Sequence, residues 1–364
     1  LRWVPSELLA RAYRRALRDR GTELLGYGSA GGEPRLRQEV AALVARRRAV
    51  AARAENILVT RGSQMALDLV ARALCAPGDG VAVEALGYKP AWQAFKAAGA
   101  RLLPIAVDRH GLVVEDLARA ARRQPIRAVY VTPHHQYPST AVLSPARRMA
   151  LLELAARERF AVIEDDYDHE FHYEGRPVLP LASADSRGSV IYLGTLAKVL
   201  APGLRLGFVV APARLVDELA RRRFFVDRQG DHAMEAAIAE LIADGEIERH
   251  VRKMRGVYLA RRDALVSAIE RHLSGRFEPQ VPAGGMALWG RVPDEIDIEG
   301  WQTRALERGV WFLTARAFTF DGRSLPHARL GFAALAESEL EEAVRRLAAA
   351  WPSGKRKPRA KARA

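Results

Sequence analysis

The stretch "ILVTRGSQMALDLVARALCAPGDGVAVEALGY", residues 57–88, decides the fold. Ile57 to Thr60 form a short apolar run that reads as a strand. Apolar residues at helical spacing follow, through "MALDLVARAL". Pro77, Gly78 and Gly80 then interrupt the pattern, and Val81-Ala82-Val83 begins a second strand. Both strand runs are continuously apolar rather than alternating, as expected of strands covered on both faces.

The same rhythm continues downstream. Strands are expected at 102–107, 128–132, 161–164, 190–193 and 206–210, most of them separated by helical runs. That pattern predicts an α/β fold: a mainly parallel seven-stranded sheet with helices on both faces. Beyond residue 213 the pattern turns helical, through "VRKMRGVYLARRDALVSAIERHL". Short strands in "GGMALWGRV" and "HARLGFAA" and a final helix at 336–350 then predict a smaller C-terminal α+β domain. Upstream, residues 6–20 have helical spacing with Ser6 as cap, and a second helix starts near Pro34. The expected layout is an N-terminal arm with helices at 1–50, a large domain at 51–245, a small domain at 246–350 and a basic tail at 351–364.

Between the first two helices, Gly26, Gly28 and Gly31 match the dinucleotide fingerprint G-x-G-x-x-G. That fingerprint works only between a strand and a helix, where the helix N-terminus meets a pyrophosphate. Here it follows a helix, so the dinucleotide reading is rejected.

With 49% hydrophobic and 27% charged residues, the 364-residue chain has the composition of a soluble globular protein. No apolar run reaches the roughly 20 residues of a membrane helix, no secretory signal is visible, and the single Cys75 cannot close an internal disulfide. A cytoplasmic protein without membrane contact is expected. The net charge is +14, and six of the positive charges lie in "KRKPRAKARA" at 355–364. That run reads as disordered, either simply solvated or able to touch anionic polymers. The charge of the body is weak evidence for a nucleic-acid groove.

In open α/β sheets ligands bind beyond the carboxyl ends of the strands. There the sequence places Arg61-Gly62-Ser63-Gln64, Gly87-Tyr88, Pro133-His134-His135-Gln136-Tyr137, Asp165-Asp166-Tyr167 and Gly194-Thr195-Leu196-Ala197-Lys198, with Arg205 opening the last strand. With "LGYG", "YVTPHHQYPS", "EDDYDHEF", "IYLGTLAKVLAPGLRLGFVV" and "LGFAAL" in this order, the chain resembles the aminotransferase-like domain of MocR-type (GntR-family) transcription regulators. These domains are fold-type-I, aspartate-aminotransferase-like proteins that use pyridoxal 5′-phosphate.

The resemblance implies a role for each residue. Lys198, within an apolar stretch expected to favour its neutral form, is the amine that forms a Schiff base with the cofactor. Asp165 keeps the cofactor's ring nitrogen protonated, and Tyr167 bonds the ring's 3-oxygen. Gly62, Ser63 and Gln64 open a helix whose free amides suit a phosphate, joined by Thr195 and the Arg205 guanidinium. Tyr88 stacks on the ring, Arg329 pairs with a substrate carboxylate, and Tyr27 reaches the phosphate of a partner in a homodimer.

Asp166 and Asp168 stay open as helix caps or metal ligands, and His134 and His135 receive no role. His169 and His172 lack a zinc-type motif and are read as non-metal. The chain departs from the family pattern at Ser29-Ala30, Ala85-Leu86, Thr140 (where glycine is usual) and Ala197 (where serine is usual). These changes bear on substrate and turnover more than on cofactor binding.

Three functions follow from the resemblance. One is a sensor of an amino acid or amine in a MocR/GntR-type regulator, touching DNA only through a winged-helix domain outside this chain. The others are a free-standing pyridoxal-phosphate aminotransferase and a cofactor-free dimerisation module.

Overall fold

The structure is a computed structural model that describes residues 3–175 and 178–352. The basic run at 355–364 therefore lies outside the described residues, as does all of the expected tail except Trp351 and Pro352. No helix among the described residues is long and apolar enough to cross a membrane.

Helices α1 (Ser6–Leu24) and α2 (Pro34–Arg48) come first. The first continues past the expected end at residue 20, with a non-helical break at Arg20 (φ −137°). It resumes because Leu24 still has a core to enter, being 4% exposed. Strands β1 (Ile57–Thr60), β2 (Gly80–Glu84) and β3 (Arg101–Ile105) alternate with helices α3 (Gly62–Leu74) and α4 (Lys89–Ala97). A small ribbon of β4 (Val107–Asp108) and β5 (Gly111–Leu112) leads into α5 (Val114–Arg123). Next come β6 (Ala128–Val131), α6 (Pro145–Glu158), β7 (Ala161–Asp166), β8 (Val190–Thr195) and β9 (Gly207–Val210). Helices α7 (Ala213–Phe224), α8 (His232–Ala243) and α9 (Glu246–Leu273) follow.

The main sheet has seven strands in the order β1-β9-β8-β7-β6-β2-β3. It is parallel except around β9, which runs antiparallel to both β1 and β8. Ile57, Val59, Tyr192, Phe208 and Val210 pack with α1, α2 and α8 in one core cluster. Ala82, Val129, Val131 and Val162 pack with α5 and α6 in another. Helix α3 packs against β8, β9 and α4. Helices thus cover both faces, which is why β1, β2 and β6 are buried at every position.

The chain divides into two compact units, and residues 256–282 and 286 onward belong to the second. That unit holds β10 (Glu278–Gln280), β11 (Ala287–Arg291), β12 (Leu313–Thr314) and β13 (His327–Gly331), with α10 (Ile298–Glu307) and α11 (Glu337–Ala349). Its antiparallel sheet has the order β10-β11-β13-β12. Trp301 is fully buried there, with Phe312 at 4.7 Å and Trp351 at 4.9 Å between ring centroids, and its Nε1 donates to Leu347 O (2.9 Å).

Thr140, in the loop after β6, has φ +60° and is 8% exposed. A β-branched residue is strained in this left-handed region, at about 1–2 kcal/mol. Thr140→Gly should therefore raise the melting temperature in a thermal scan. Part of the gain is offset because glycine loosens the unfolded chain.

Candidate functional site

The carboxyl ends of β1, β2, β6, β7 and β8 share one edge of the sheet. Because β9 is antiparallel, its start lies there too, and Arg205 comes just before it. This edge gathers most of the groups singled out in the sequence.

Asp165 is the buried centre. Strand β7 runs to Asp166, further than the sequence suggested, and pairs Asp165 with Leu193 of β8. The Tyr130 hydroxyl on β6 donates to Asp165 Oδ2 at 2.8 Å. Burial pushes the Asp165 carboxyl up to about 7; the Tyr130 bond opposes this, Asp166 and Asp168 add to it, and the Lys198 charge opposes it. Lys198 therefore acts on Asp165 electrostatically.

Around Asp165 lies an aromatic wall. Tyr137 stands edge-on to Tyr88 at 5.5 Å and to Tyr167 at 5.8 Å. Burial raises the Tyr88 hydroxyl above its ordinary value; Asp165 and Tyr137 add to the rise, and Arg205 opposes it. Tyr88 thus feels the charge of both Asp165 and Arg205.

The anion cradle is a matter of close approach. Helix α3 starts after Arg61, whose side chain makes no capping bond, so the first amides of the helix stay available. Gly62 has φ +76°, and a Cβ there would lie 3.1 Å from Arg205 Nη2. A bare Cα is what lets the guanidinium lie beside the helix start, where Nη2 donates to Arg61 O (3.2 Å). Ser63 and Gln64 fill the first turn. Gln64 Nε2 donates to Pro90 O (3.1 Å), while its Oε1 is buried with no hydrogen-bond partner among the described residues. Thr195 serves its own turn: its hydroxyl donates to Leu206 O (3.2 Å) and accepts from Ala197 N (3.1 Å). Uncapped amides, a guanidinium and a buried acid with a tyrosine partner fit a phosphorylated, protonated pyridine.

The surroundings of Lys198 differ from expectation. The apolar stretch does not enclose its side chain, which is exposed between buried Ala197 and Val199. Leu196, Val199 and Leu200 turn into the core beside α1 and α2, and that packing turns Lys198 outward.

Two of the expected residues lie on other elements. Arg329 lies on β13 of the second unit, in register with Trp289 and Leu313. Tyr27 is 86% exposed, with the Arg228 guanidinium 4.6 Å from its ring centre. The glycine loop beside it is firmly tied to its own chain. Gly28 N donates to Gln229 Oε1 (2.7 Å), and Arg223 Nη1 donates to Ala30 O (3.1 Å) and Val59 O (2.6 Å). Gly32 has φ +107°, and a Cβ there would come within 2.6 Å of the Val59 side chain.

The sequence reading missed Tyr130, and it placed Glu84 and Tyr137 at the strand ends without giving either a role. Tyr130 carries the one polar tip in the otherwise aliphatic strand β6, a signal that could have exposed it. Glu84 Oε2 accepts from the Thr132 hydroxyl (2.8 Å), which in turn accepts from Tyr137 N (2.9 Å). Burial pushes Glu84 up to about 7 from 4.5, with Thr132 and Gln136 opposing and Asp165 adding. Between these values the folded chain holds a proton that the unfolded chain releases, so this group's contribution to stability falls as pH rises through that window. The penalty above the window is about 3 kcal/mol, from 1.36 kcal/mol per unit. Glu84→Gln should raise the melting temperature at pH 8 and leave it nearly unchanged at pH 4, as calorimetry at the two pH values would show.

Residues 5–347 match the family model of aminotransferase class I and II, and the chain belongs to that family. It is 32% identical to aromatic-amino-acid aminotransferase 1 of Thermococcus litoralis, over 94% of this chain and 84% of the relative. It is 33% identical to the probable rhizopine catabolism regulatory protein MocR of Rhizobium meliloti, over 95% of this chain and 70% of the relative. Among solved structures, the α-aminoadipate aminotransferase of Thermus thermophilus, complexed with N-(5′-phosphopyridoxyl)-L-leucine, superposes with a TM-score of 0.89 at 31% identity, covering 96% of this chain and 89% of the other. The fold is therefore aspartate-aminotransferase-like, and the cofactor of this fold is pyridoxal 5′-phosphate. Relatives include both free-standing enzymes and regulators.

Proposed function

We propose that this domain holds pyridoxal 5′-phosphate and uses it to sense an amino acid or amine within a MocR/GntR-type transcription regulator. The observation that carries the cofactor half is the buried Asp165–Tyr130 pair under the electrostatic reach of Lys198. The regulator half rests on the likeness to the Rhizobium protein along nearly the whole chain.

When bound, the cofactor supplies a cationic ring that draws electrons from the substrate's α-carbon. Asp165 holds the proton on the ring nitrogen. The Tyr130 hydroxyl, by bonding one carboxylate oxygen, orients the other. Lys198 would supply the amine that holds the cofactor and would be the base for the substrate's α-proton. Arg205 and the first amides of α3, with Ser63 and Gln64, hold the phosphate. Tyr88 and Tyr167 would contact the cofactor's ring, and Arg329 would take the substrate carboxylate.

A homodimer belongs to this reading. Leu25, Tyr27, Phe225 and Val226 are all more than half exposed, and the Gly28–Gln229 bond ties the segment carrying the first two to the segment carrying the others. Such a patch suits a second copy of the chain, with Tyr27 reaching the partner's phosphate. A cytoplasmic location and DNA contact through a domain outside this chain complete the proposal. A second reading, a free-standing aminotransferase, is favoured by the equally strong likeness to the Thermococcus enzyme.

The test is a visible spectrum of cofactor-loaded protein against a panel of amino acids and amines, with and without a 2-oxo acid. A stoichiometric spectral change without turnover supports the sensor. Repeated turnover selects the enzyme, and an unchanged spectrum throughout rejects both. In the same assay Arg329→Gln should weaken α-amino acids by roughly 30–100-fold, the loss of a charged hydrogen-bond pair. Amines lacking a carboxylate should be unaffected.

A further inference from the structure

Behind the cofactor edge the structure gathers side chains that the sequence keeps apart. Asp165 and Asp166 are neighbours on β7, so they face opposite sides of the sheet. Asp165 meets Tyr130, whereas Asp166 Oδ2 accepts from the Tyr192 hydroxyl at 2.7 Å. On the Asp166 side stand His134, from the loop after β6, and His169, from the loop after β7. Their ring centroids are 4.8 Å apart, and His135 (4.4 Å) and His172 (6.2 Å) also adjoin His134.

We propose that His134, His169 and Asp166 form a binding site for a divalent transition-metal ion of the zinc or cobalt type. Their ligand atoms all lie within 4.8 Å of one another, and all three residues are buried. Around a tetrahedral ion with bonds of about 2.0 Å, ligand atoms sit roughly 3.3 Å apart, so modest rotation of the imidazoles closes the set. His169 Nδ1 already lies 2.8 Å from Asp166 Oδ2.

A second observation points to a ligand. His134 is 2% exposed, yet both of its ring nitrogens are buried without a hydrogen-bond partner among the described residues. Buried polar atoms left unpaired in this way are costly, and a metal bond to one nitrogen removes part of that cost. Asp166 Oδ1 is likewise buried and without a hydrogen-bond partner.

Outer contacts hold the acid in place. Tyr192 pins Asp166 Oδ2, Arg48 Nη1 donates to the Tyr192 hydroxyl (2.7 Å), and Arg48 Nη2 pairs with Glu170 Oε1 (2.8 Å). Such supports orient ligands in metal sites. His134 also belongs to a second triad with His135 and His172. His135 Nδ1, however, is engaged by Asp168 Oδ1 at 2.8 Å, which favours the first set. His172 is half-buried at the edge of the cluster and marks the side nearest solvent. Two imidazoles and a carboxylate suit Zn²⁺ or Co²⁺ rather than Mg²⁺ or Ca²⁺. The sequence around His169 and His172 carries no zinc-type motif, because His134 comes from another loop.

The site does not depend on the cofactor, and its test reads metal directly. Cofactor-loaded protein is dialysed against chelator and titrated with Co²⁺, following absorption at wavelengths beyond the cofactor's own band. Metal content after exposure to Zn²⁺ is measured by mass spectrometry. The expected result is one equivalent of Co²⁺ per chain, displaced by Zn²⁺. His134→Ser and His169→Ser should each weaken binding at least about tenfold. His110→Ser, at an exposed loop, should bind as the unaltered chain does. Where a serine variant fails to fold by circular dichroism, the asparagine variant takes its place. No stoichiometric uptake by the unaltered chain, or uptake unchanged in both cluster variants, overturns the proposal.

Discussion

Lys198→Ala protein, loaded with pyridoxal 5′-phosphate and treated with borohydride, is expected to release all of its cofactor on denaturing dialysis. The unaltered chain should retain one equivalent covalently. Lys198 sits in the tight turn after β8, exposed between buried Ala197 and Val199, so its main chain is held in place beside the site edge. Its charge acts on Asp165. The next amine by position is Lys89, beside Tyr88 at the start of α4. If covalent label persists in Lys198→Ala and maps to Lys89, the assignment of the amine is wrong. Removing the lysine also removes the base for the substrate's α-proton. The rate of amino-acid-dependent spectral change should then fall by roughly 10²–10⁴-fold, the usual worth of a positioned general base. Stopped-flow mixing measures this.

Asp165→Asn is expected to do two opposite things. The change is nearly isosteric, and the amide oxygen can still accept from Tyr130. What disappears is the negative charge opposite the ring nitrogen. The rate of the same spectral change should drop by roughly 10²–10³-fold, comparable to losing one preorganised charge-stabilising group. Cofactor-free protein should meanwhile become more stable at pH 8. Burial pushes the folded Asp165 up to about 7 from 3.8. Above that range the folded chain carries a buried charge at a cost the unfolded chain does not bear, and asparagine carries none. A lower rate with a higher melting temperature is the signature of an acid kept for function. A fall in both would mean that Asp165 only supports the fold.

The sequence located nearly all of the main sheet, because its evidence is local. A strand covered on both faces must be apolar throughout, and "ILVT", "AVYVT" and "VIYL" say so without reference to neighbours. The glycine fingerprint at 26–31 was rejected on equally local grounds, and the structure ties that loop to Gln229 and Val59. The site was partly legible, since strand ends in an α/β sheet share an edge by topology. Asp165, Tyr88, Arg205 and Lys198 come together as that rule requires. Tyr130 was not legible as a site residue, because in sequence it is one more bulky residue in a buried strand.

What the order of residues determined alone was the alternation of strands and helices, the edge where ligands gather, and the chemical types placed there. Tertiary packing decided which way those groups turn. Tyr130 reaches Asp165 because β6 and β7 pair in one register. Lys198 faces outward because its apolar neighbours claim the core. Four histidines meet because two loops leave adjacent strands on the same side. Periodicity is carried by neighbours in the chain, whereas orientation is set by contacts between residues far apart in it.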